Sequence, residues 1–223
     1  MPLPRIACFH GGGSTAPIFK VQCGRLQGEL KNDFEFVFFE GPFDCGAGPG
    51  VLPFFNEKTY APYKSWFKSR ESLDGSGYEE TGKDGVERVW QLIRDAGPGG
   101  EWVGAMGFSQ GSRIVGGLLL DQQLRAQAGF RNDIELKFGI LCMGSGPPMV
   151  SEMSRGLPPF FCLCFLCENI EADDGRYALF WWRSGSDYDS DVSSSRVTGP
   201  ESGEWQDTAV DVLRSEDFQV DGD

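Results

Sequence analysis

The chain has 223 residues, 40% of them hydrophobic and 24% charged, which fits one globular domain large enough to bury a core. Its net charge of −13 argues against nucleic acid as a partner, because a polyanion needs a basic face. No basic-then-apolar leader opens the chain and no run of about 20 apolar residues occurs, so a cytoplasmic protein without a membrane span is expected.

In chain order, Arg5 to His10 reads as a short buried strand ending in Gly11, Gly12 and Gly13. Ser14 or Thr15 suits the N-cap of a helix running through Ile18, Leu26 and Leu30. Phe34 to Glu40 is a second strand, almost entirely aromatic and β-branched. Gly41 to Phe55 is a Gly- and Pro-rich loop that carries Phe43, Leu52, Phe54 and Phe55. Glu79 to Ala96 predicts a helix with Val86, Val89, Trp90 and Ile93 on one face. Trp102 to Gly107 is a strand, the segment after Gly111 is an apolar helix, and Lys137 to Met143 is another strand. Strands that alternate with helices imply an α/β fold with a mostly parallel sheet flanked by helices.

Past about residue 157 this pattern decays. Tyr177 to Trp182 suits a strand, and residues 184–203 read as a Ser-, Asp- and Gly-rich loop. Residues 168–223 carry 15 acids against 4 arginines, so most of the net charge sits there. The expected organisation is a core over residues 1–157 and a divergent acidic C-terminal region, 158–223, of the same domain. Seven cysteines without regular spacing fit a reducing compartment better than a disulfide framework. Cys162, Cys164 and Cys167 lie in a Phe- and Leu-rich run, far in sequence from the single histidine, and read as an apolar segment without metal. No cofactor fingerprint is present.

Gly107-Phe108-Ser109-Gln110-Gly111 matches G-x-S-x-G. In a chain with 31 glycines that pattern arises easily, but here an apolar strand precedes it and an apolar helix follows it. This is the context of a nucleophile elbow, in which a sharp strand-to-helix turn exposes the serine hydroxyl above the sheet. Ser109 is therefore the candidate nucleophile. An acyl-transfer site also needs two backbone N–H groups aimed at the developing oxyanion. The candidates are Gln110, directly after the serine, and Gly12 in the loop after the first strand, with Gly13 as the alternative. The same strand, loop and helix would also suit a phosphate-binding turn, which would leave Ser109 without a role.

Four segments resemble the fungal family of small serine hydrolases that includes a polyketide-releasing thioesterase of the lovastatin pathway. They are RIACFHGGGSTAPIF, FFEGPFDCGAGPGVLPFF with the following PYKSWF, MGFSQGSRIVGGLL, and FGILCMGSGPP. The GPFDCGAGPGV stretch is the most specific of them. The resemblance implies an α/β-hydrolase fold and cleavage of an ester or thioester, often a polyketide held on an acyl carrier protein. It assigns the nucleophile to Ser109 and the oxyanion hole to Gln110 and the loop after His10. The Phe-rich loop at 43–55 would either line the acyl pocket or simply pack on the fold.

The resemblance also exposes a gap. The triad order in this fold is Ser, then Asp or Glu, then His. The one histidine, His10, precedes the nucleophile and reads as a residue that shapes the loop. The family's acid corresponds to Asp187, with Asp189 close behind, but no histidine follows. A missed splice site, a frameshift or a diverged gene copy would each give such an ending. Without its base a serine hydrolase loses on the order of 10⁴- to 10⁶-fold in rate. The altered ending is also expected to leave a sheet edge unpaired. Two further readings remain. One is a catalytically impaired homologue that binds an acyl chain or a carrier protein, and the other is a general carboxylesterase for small esters.

Overall fold

The computed structural model describes residues 2–68, 85–144 and 146–157 in full, and the backbone of Tyr177–Arg183 and Val192–Val197. Within them, strands β1 (Arg5–Phe9), β2 (Glu35–Phe39), β5 (Trp102–Phe108) and β6 (Phe138–Cys142) build the centre of a six-stranded sheet. Its order is β2-β1-β5-β6-β7-β8, where β7 is Tyr177–Arg183 and β8 is Val192–Val197. The first three pairings are parallel, as the alternating pattern predicts. Strands covered on both faces are largely apolar, and β1 and β6 are buried at every position, with Arg5 at the start of β1 donating to Gly100 O and Gly97 O.

Helices cover both faces. On one side α1 (Ala16–Gln22) and α2 (Gly24–Leu30) bring Phe19, Leu26 and Leu30 against Ile6, Cys8, Met106 and Ile140. On the other, α4 (Gly85–Arg94) and α5 (Gln110–Gln127) bring Val89, Trp90, Ile114 and Leu118 against Ala7, Phe9 and Ala105. Ile6 and Cys8 serve one core and Ala7 and Phe9 the other, following the two-residue period of a strand. A fully buried aliphatic side chain of this kind contributes about 1.5–3 kcal/mol. A polar link joins the two helices on the second face. Asp121 accepts from Trp90 Nε1 at 2.9 Å and from Arg125 Nε at 2.7 Å, and Arg125 also pairs with Glu87.

Three expectations change in detail. The helix expected from residue 15 to residue 30 is two helices that meet at Cys23, where φ is −87° and ψ is 9°. The break falls just before Gly24, with Gly28 one turn on, and glycine supports a helix interior least after proline. Thr15 is the N-cap, its side chain accepting from Ile18 N–H at 3.3 Å. The loop after β2 contains a short hairpin of β3 (Phe43–Cys45) and β4 (Tyr63–Ser65), with α3 (Glu57–Tyr60) between them.

The third change concerns the sheet edge. It is not left open at β6, because β7 pairs antiparallel to β6 and β8 antiparallel to β7. β8 lies within residues 184–203, which their Ser-, Asp- and Gly-rich composition reads as a loop, and it pairs with β7 as the second strand of an antiparallel hairpin. The start of the helix expected at Glu79 and the cysteines at 162, 164 and 167 lie outside the described residues. Among the described residues, no helix is long and apolar enough to cross a membrane, and no cluster of His, Cys, Asp or Glu is arranged to hold a metal.

Burial sets the chemistry of the described thiols. It pushes Cys8 and Cys23 well above the usual thiol range and Cys142 to about 12, whereas Cys45 is exposed. A protonated, buried thiol is a poor nucleophile. Iodoacetamide at neutral pH is therefore expected to alkylate Cys45 in the native protein, and Cys8, Cys23 and Cys142 only after denaturation, as read by peptide mass mapping. Leu118, fully buried between α5 and the sheet, is the matching core probe. Leu118→Ala should cost about 2–5 kcal/mol in urea unfolding, and a cost below about 1 kcal/mol would contradict this packing.

Candidate active site

Ser109 sits between the end of β5 and the start of α5, with φ 50° and ψ −113°. A side-chain-bearing residue at positive φ is strained and is held there only by its surroundings. Here the surroundings are backbone. A Cβ on Gly107 would lie 2.2 Å from Gly111 O, and one on Gly111 would lie 2.1 Å from Phe9 O. Both glycines of the motif are thus steric requirements for α5 to begin this close to β5 and β1. Ser109 N–H donates to Cys142 O at 2.8 Å. Just behind, the buried Ser112 hydroxyl lies 3.0 Å from Gly107 O and 2.9 Å from Cys142 O, tying the ends of β5 and β6 together under the turn.

The loop after β1 closes over this turn. Gly13 has φ 73°, and a Cβ on it would lie 2.1 Å from Gly48 N, while one on Gly48 would lie 2.3 Å from Gly12 O. The GAGPG stretch is therefore packed backbone to backbone on the glycines that follow His10, and Gly48 N–H donates to Gly13 O at 2.9 Å. Ser109, Gln110, Gly12 and Gly13 line one cavity of about 530 Å³. Its other walls are residues 44–47, Pro49, Ser65, Phe67 and Lys68. Gly12 N–H and Gln110 N–H donate to no backbone carbonyl among the described residues, whereas Gly13 N–H is taken by Lys64 O at 2.9 Å.

Small residues of the 43–55 loop line the cavity, and its large ones do not. Phe43 packs against the main core and Phe55 against Tyr60, while Leu52 and Phe54 are exposed. Asp44 pairs with Lys64 at 2.5 Å, and that hydrogen bond holds the Lys64 ammonium above its usual range.

His10 is fully buried and both of its ring nitrogens face backbone. Nδ1 lies 2.8 Å from Gly11 O, an acceptor, so Nδ1 carries a proton. Nε2 lies 2.9 Å from Gly41 N–H and 3.0 Å from Glu40 Oε1. A single Nε2 cannot accept from the first and donate to the second. The Gly41 bond makes Nε2 an acceptor, because Gly41 N–H is fixed backbone whereas the Glu40 side chain is 41% exposed. With both nitrogens engaged, His10 ties the loop after β1 to the loop after β2 and has no position left for proton transfer.

The structure thus brings Ser109, Gln110 and Gly12 together. Asp187 and Asp189 lie outside the described residues. The strand before them, β7, ends at Arg183 beside Phe138, at the opposite end of β6 from Cys142. Sequence reading missed Ser65 and Trp66. Gln110 Oε1 accepts from Trp66 N–H at 2.8 Å, and Gln110 Nε2 donates to Ser65 Oγ at 3.1 Å. The PYKSWF segment was the available signal, but as a matching string it carried no role.

Comparison with known proteins shows the family. Residues 1–169 match a family model described as Serine hydrolase (FSH1). The chain is 36% identical over 149 residues to Esterase FUS5 of Gibberella moniliformis, covering 67% of this chain and 60% of that protein. It is 37% identical over 150 residues to the probable esterase tazC of Aspergillus terreus, covering 65% and 56% respectively. It is 34% identical over 178 residues to Esterase GME11355 of Pestalotiopsis microspora, covering 78% and 64%. The chain thus spans less than two thirds of the length of these relatives.

The packing at the turn gives a direct test. Gly111→Ala forces a Cβ into Phe9 O and should cost about 3 kcal/mol or more in denaturant unfolding. Gly24→Ala, whose added Cβ meets nothing within 4 Å, is the control and should be neutral or stabilising.

Proposed function

The chain belongs to the FSH1 family of serine hydrolases, and on that premise we propose that Ser109 is the nucleophile of an ester- or thioester-cleaving site. The observation that carries this reading is the strained Ser109 turn opening into a cavity shared with Gly12 and Gln110.

Ser109 Oγ attacks the acyl carbon, and the carbonyl oxygen becomes an oxyanion. Gly12 N–H and Gln110 N–H, which have no backbone acceptor of their own among the described residues, stabilise that charge. Ser109 N–H is spent on Cys142 O and takes no part. Collapse of the intermediate expels the alkoxide or thiolate, which takes up the proton released by the Ser109 hydroxyl, through solvent in the absence of an imidazole, and leaves an acyl-Ser109 ester that water cleaves to the acid and free Ser109. Asp187 is the acid that the resemblance assigns to the triad, but β7 before it ends at Arg183, at the opposite end of β6 from Cys142, so nothing in the described residues carries it to Ser109. The imidazole it would orient is absent from these 223 residues, since His10 is the single histidine and its ring is buried in backbone contacts. Turnover by this chain is therefore expected to fall on the order of 10⁴- to 10⁶-fold below that of a complete triad.

The finer proposal is that the acyl group is a polyketide-type chain presented as a carrier-protein thioester in fungal secondary metabolism. The esterase names of the relatives support ester cleavage, and the cavity of about 530 Å³ has room for more than an acetyl group. A second reading, an impaired homologue that binds an acyl chain or carrier protein, is favoured by the sealed position of His10.

A fluorophosphonate probe separates the two readings. The expected outcome is slow covalent labelling at Ser109, in keeping with the missing base, found by peptide mapping and absent in Ser109→Ala of unchanged melting temperature. Absence of labelling in the wild-type chain would move the binding reading ahead. If labelling occurs, carrier-bound thioesters should be cleaved faster than short free esters, and the reverse order would refute the finer proposal.

A further inference from the structure

We propose that the side chain of Gln110, and not its backbone alone, is a positioning residue of this site. Its carboxamide clamps the Ser65–Trp66 segment to the start of α5 and so fixes the spacing of the two N–H groups assigned to the oxyanion hole. The inference rests on the reading of Ser109 and that hole given above.

The carboxamide is used at both ends. Oε1 accepts from Trp66 N–H at 2.8 Å, and Nε2 donates to Ser65 Oγ at 3.1 Å. The Ser65 hydroxyl proton goes to Phe67 O at 2.8 Å in preference to Gln110 Oε1 at 3.2 Å, which leaves Ser65 Oγ as an acceptor for the amide. The carboxamide also lies flat against the oxyanion loop, since a Cβ on Gly12 would sit 3.1 Å from both Gln110 Cδ and Nε2.

The clamped segment holds that loop from its other side as well. Gly13 N–H donates to Lys64 O at 2.9 Å, Lys64 N–H to Ser14 O at 2.8 Å, and Trp66 Nε1 to His10 O at 2.9 Å. A closed circuit results, running from the helix start through Gln110 to Ser65 and Trp66, across to residues 10–14, and back through Gly12 to Gln110. The two proposed donors come from different segments of the chain. Their separation depends on how firmly β4 and its following residues bridge them.

The circuit makes a chemical demand that a merely space-filling residue would not. One planar group must accept from a backbone N–H and donate to a hydroxyl at once. Glutamate supplies the acceptor but not the donor, and adds a negative charge beside the developing oxyanion. Methionine fills the space and supplies neither.

The test uses the full chain with Gln110→Met, Gln110→Glu, Ser65→Ala and the Ser65→Ala/Gln110→Met double variant. Two readouts are taken: fluorophosphonate labelling, resolved into its maximal rate and half-saturating concentration, and amide hydrogen exchange by segment. Gln110→Met should lower the maximal rate about tenfold or more with the half-saturating concentration little changed. It should also speed exchange in residues 10–14 and 63–67 while β5 and β6 stay at wild-type rates. Gln110→Glu, which keeps the bond to Trp66 N–H and loses the donor to Ser65, should lower the maximal rate at least as far, with exchange in residues 10–14 and 63–67 between wild type and Gln110→Met. In the double variant, Ser65→Ala should add less than it does alone, because both residues belong to one circuit.

A maximal rate within twofold of wild type in Gln110→Met would overturn the proposal. So would a loss confined to the half-saturating concentration. If wild type itself is not labelled, the reading of Ser109 fails separately. Exchange then decides the clamp, with faster exchange in Gln110→Met supporting it and unchanged exchange overturning it.

Discussion

The approach of Gly111 to the Phe9 carbonyl governs the geometry of this end of the sheet. A helix that starts with no Cβ at that point can press its first turn onto the ends of β1 and β5. Everything above the sheet follows from that contact. Ser109 is left with a positive φ, its N–H reaches Cys142 O, and the loop after β1 lies beside Gln110 rather than a helix diameter away. The strain at Ser109 is tolerable because hydrogen bonds over-determine the turn, with the Ser112 hydroxyl spanning the ends of two strands behind it.

The second constraint is a seal of glycine backbone around His10. Gly13 and Gly48 touch main chain to main chain, and the His10 ring occupies the gap between the loop after β1 and Gly41. A histidine so placed works as a structural cross-link, a double-ended hydrogen-bonding plug. Its ring is also packed against Trp66, with centroids 5.3 Å apart. The one imidazole in the sequence is thus committed to holding the loop.

Much of this was legible in the sequence, because parallel strands between two helical layers are largely apolar, and RIACF, EFVFF and FGILC are apolar apart from the charged residue that opens each of the first two. The elbow was legible for a steric reason, since only glycine fits at 107 and 111. The antiparallel direction of β7 was not legible. YALFWW states that a strand exists, and nothing in a run of apolar residues states which way it points. Nor does hydrophobicity distinguish Phe43, which joins the core, from Phe54, which is 81% exposed. The role of Ser65 and Trp66 was hidden because it depends on contacts with Gln110 that span more than forty residues of sequence.

The engagement of Ser109 N–H with Cys142 O has a consequence for how the molecule assembles. Because the serine's own amide is committed, the two amides left to stabilise an anion come from the loop after β1 and from α5, which meet only in the finished tertiary structure. Neither half carries a preformed hole on its own, as a compact anion-binding nest of consecutive residues would. Competence at this centre is therefore a non-local property, present only while the N-terminal loop is docked on the elbow. A small local opening of that loop would remove it while the sheet and its two cores stayed intact.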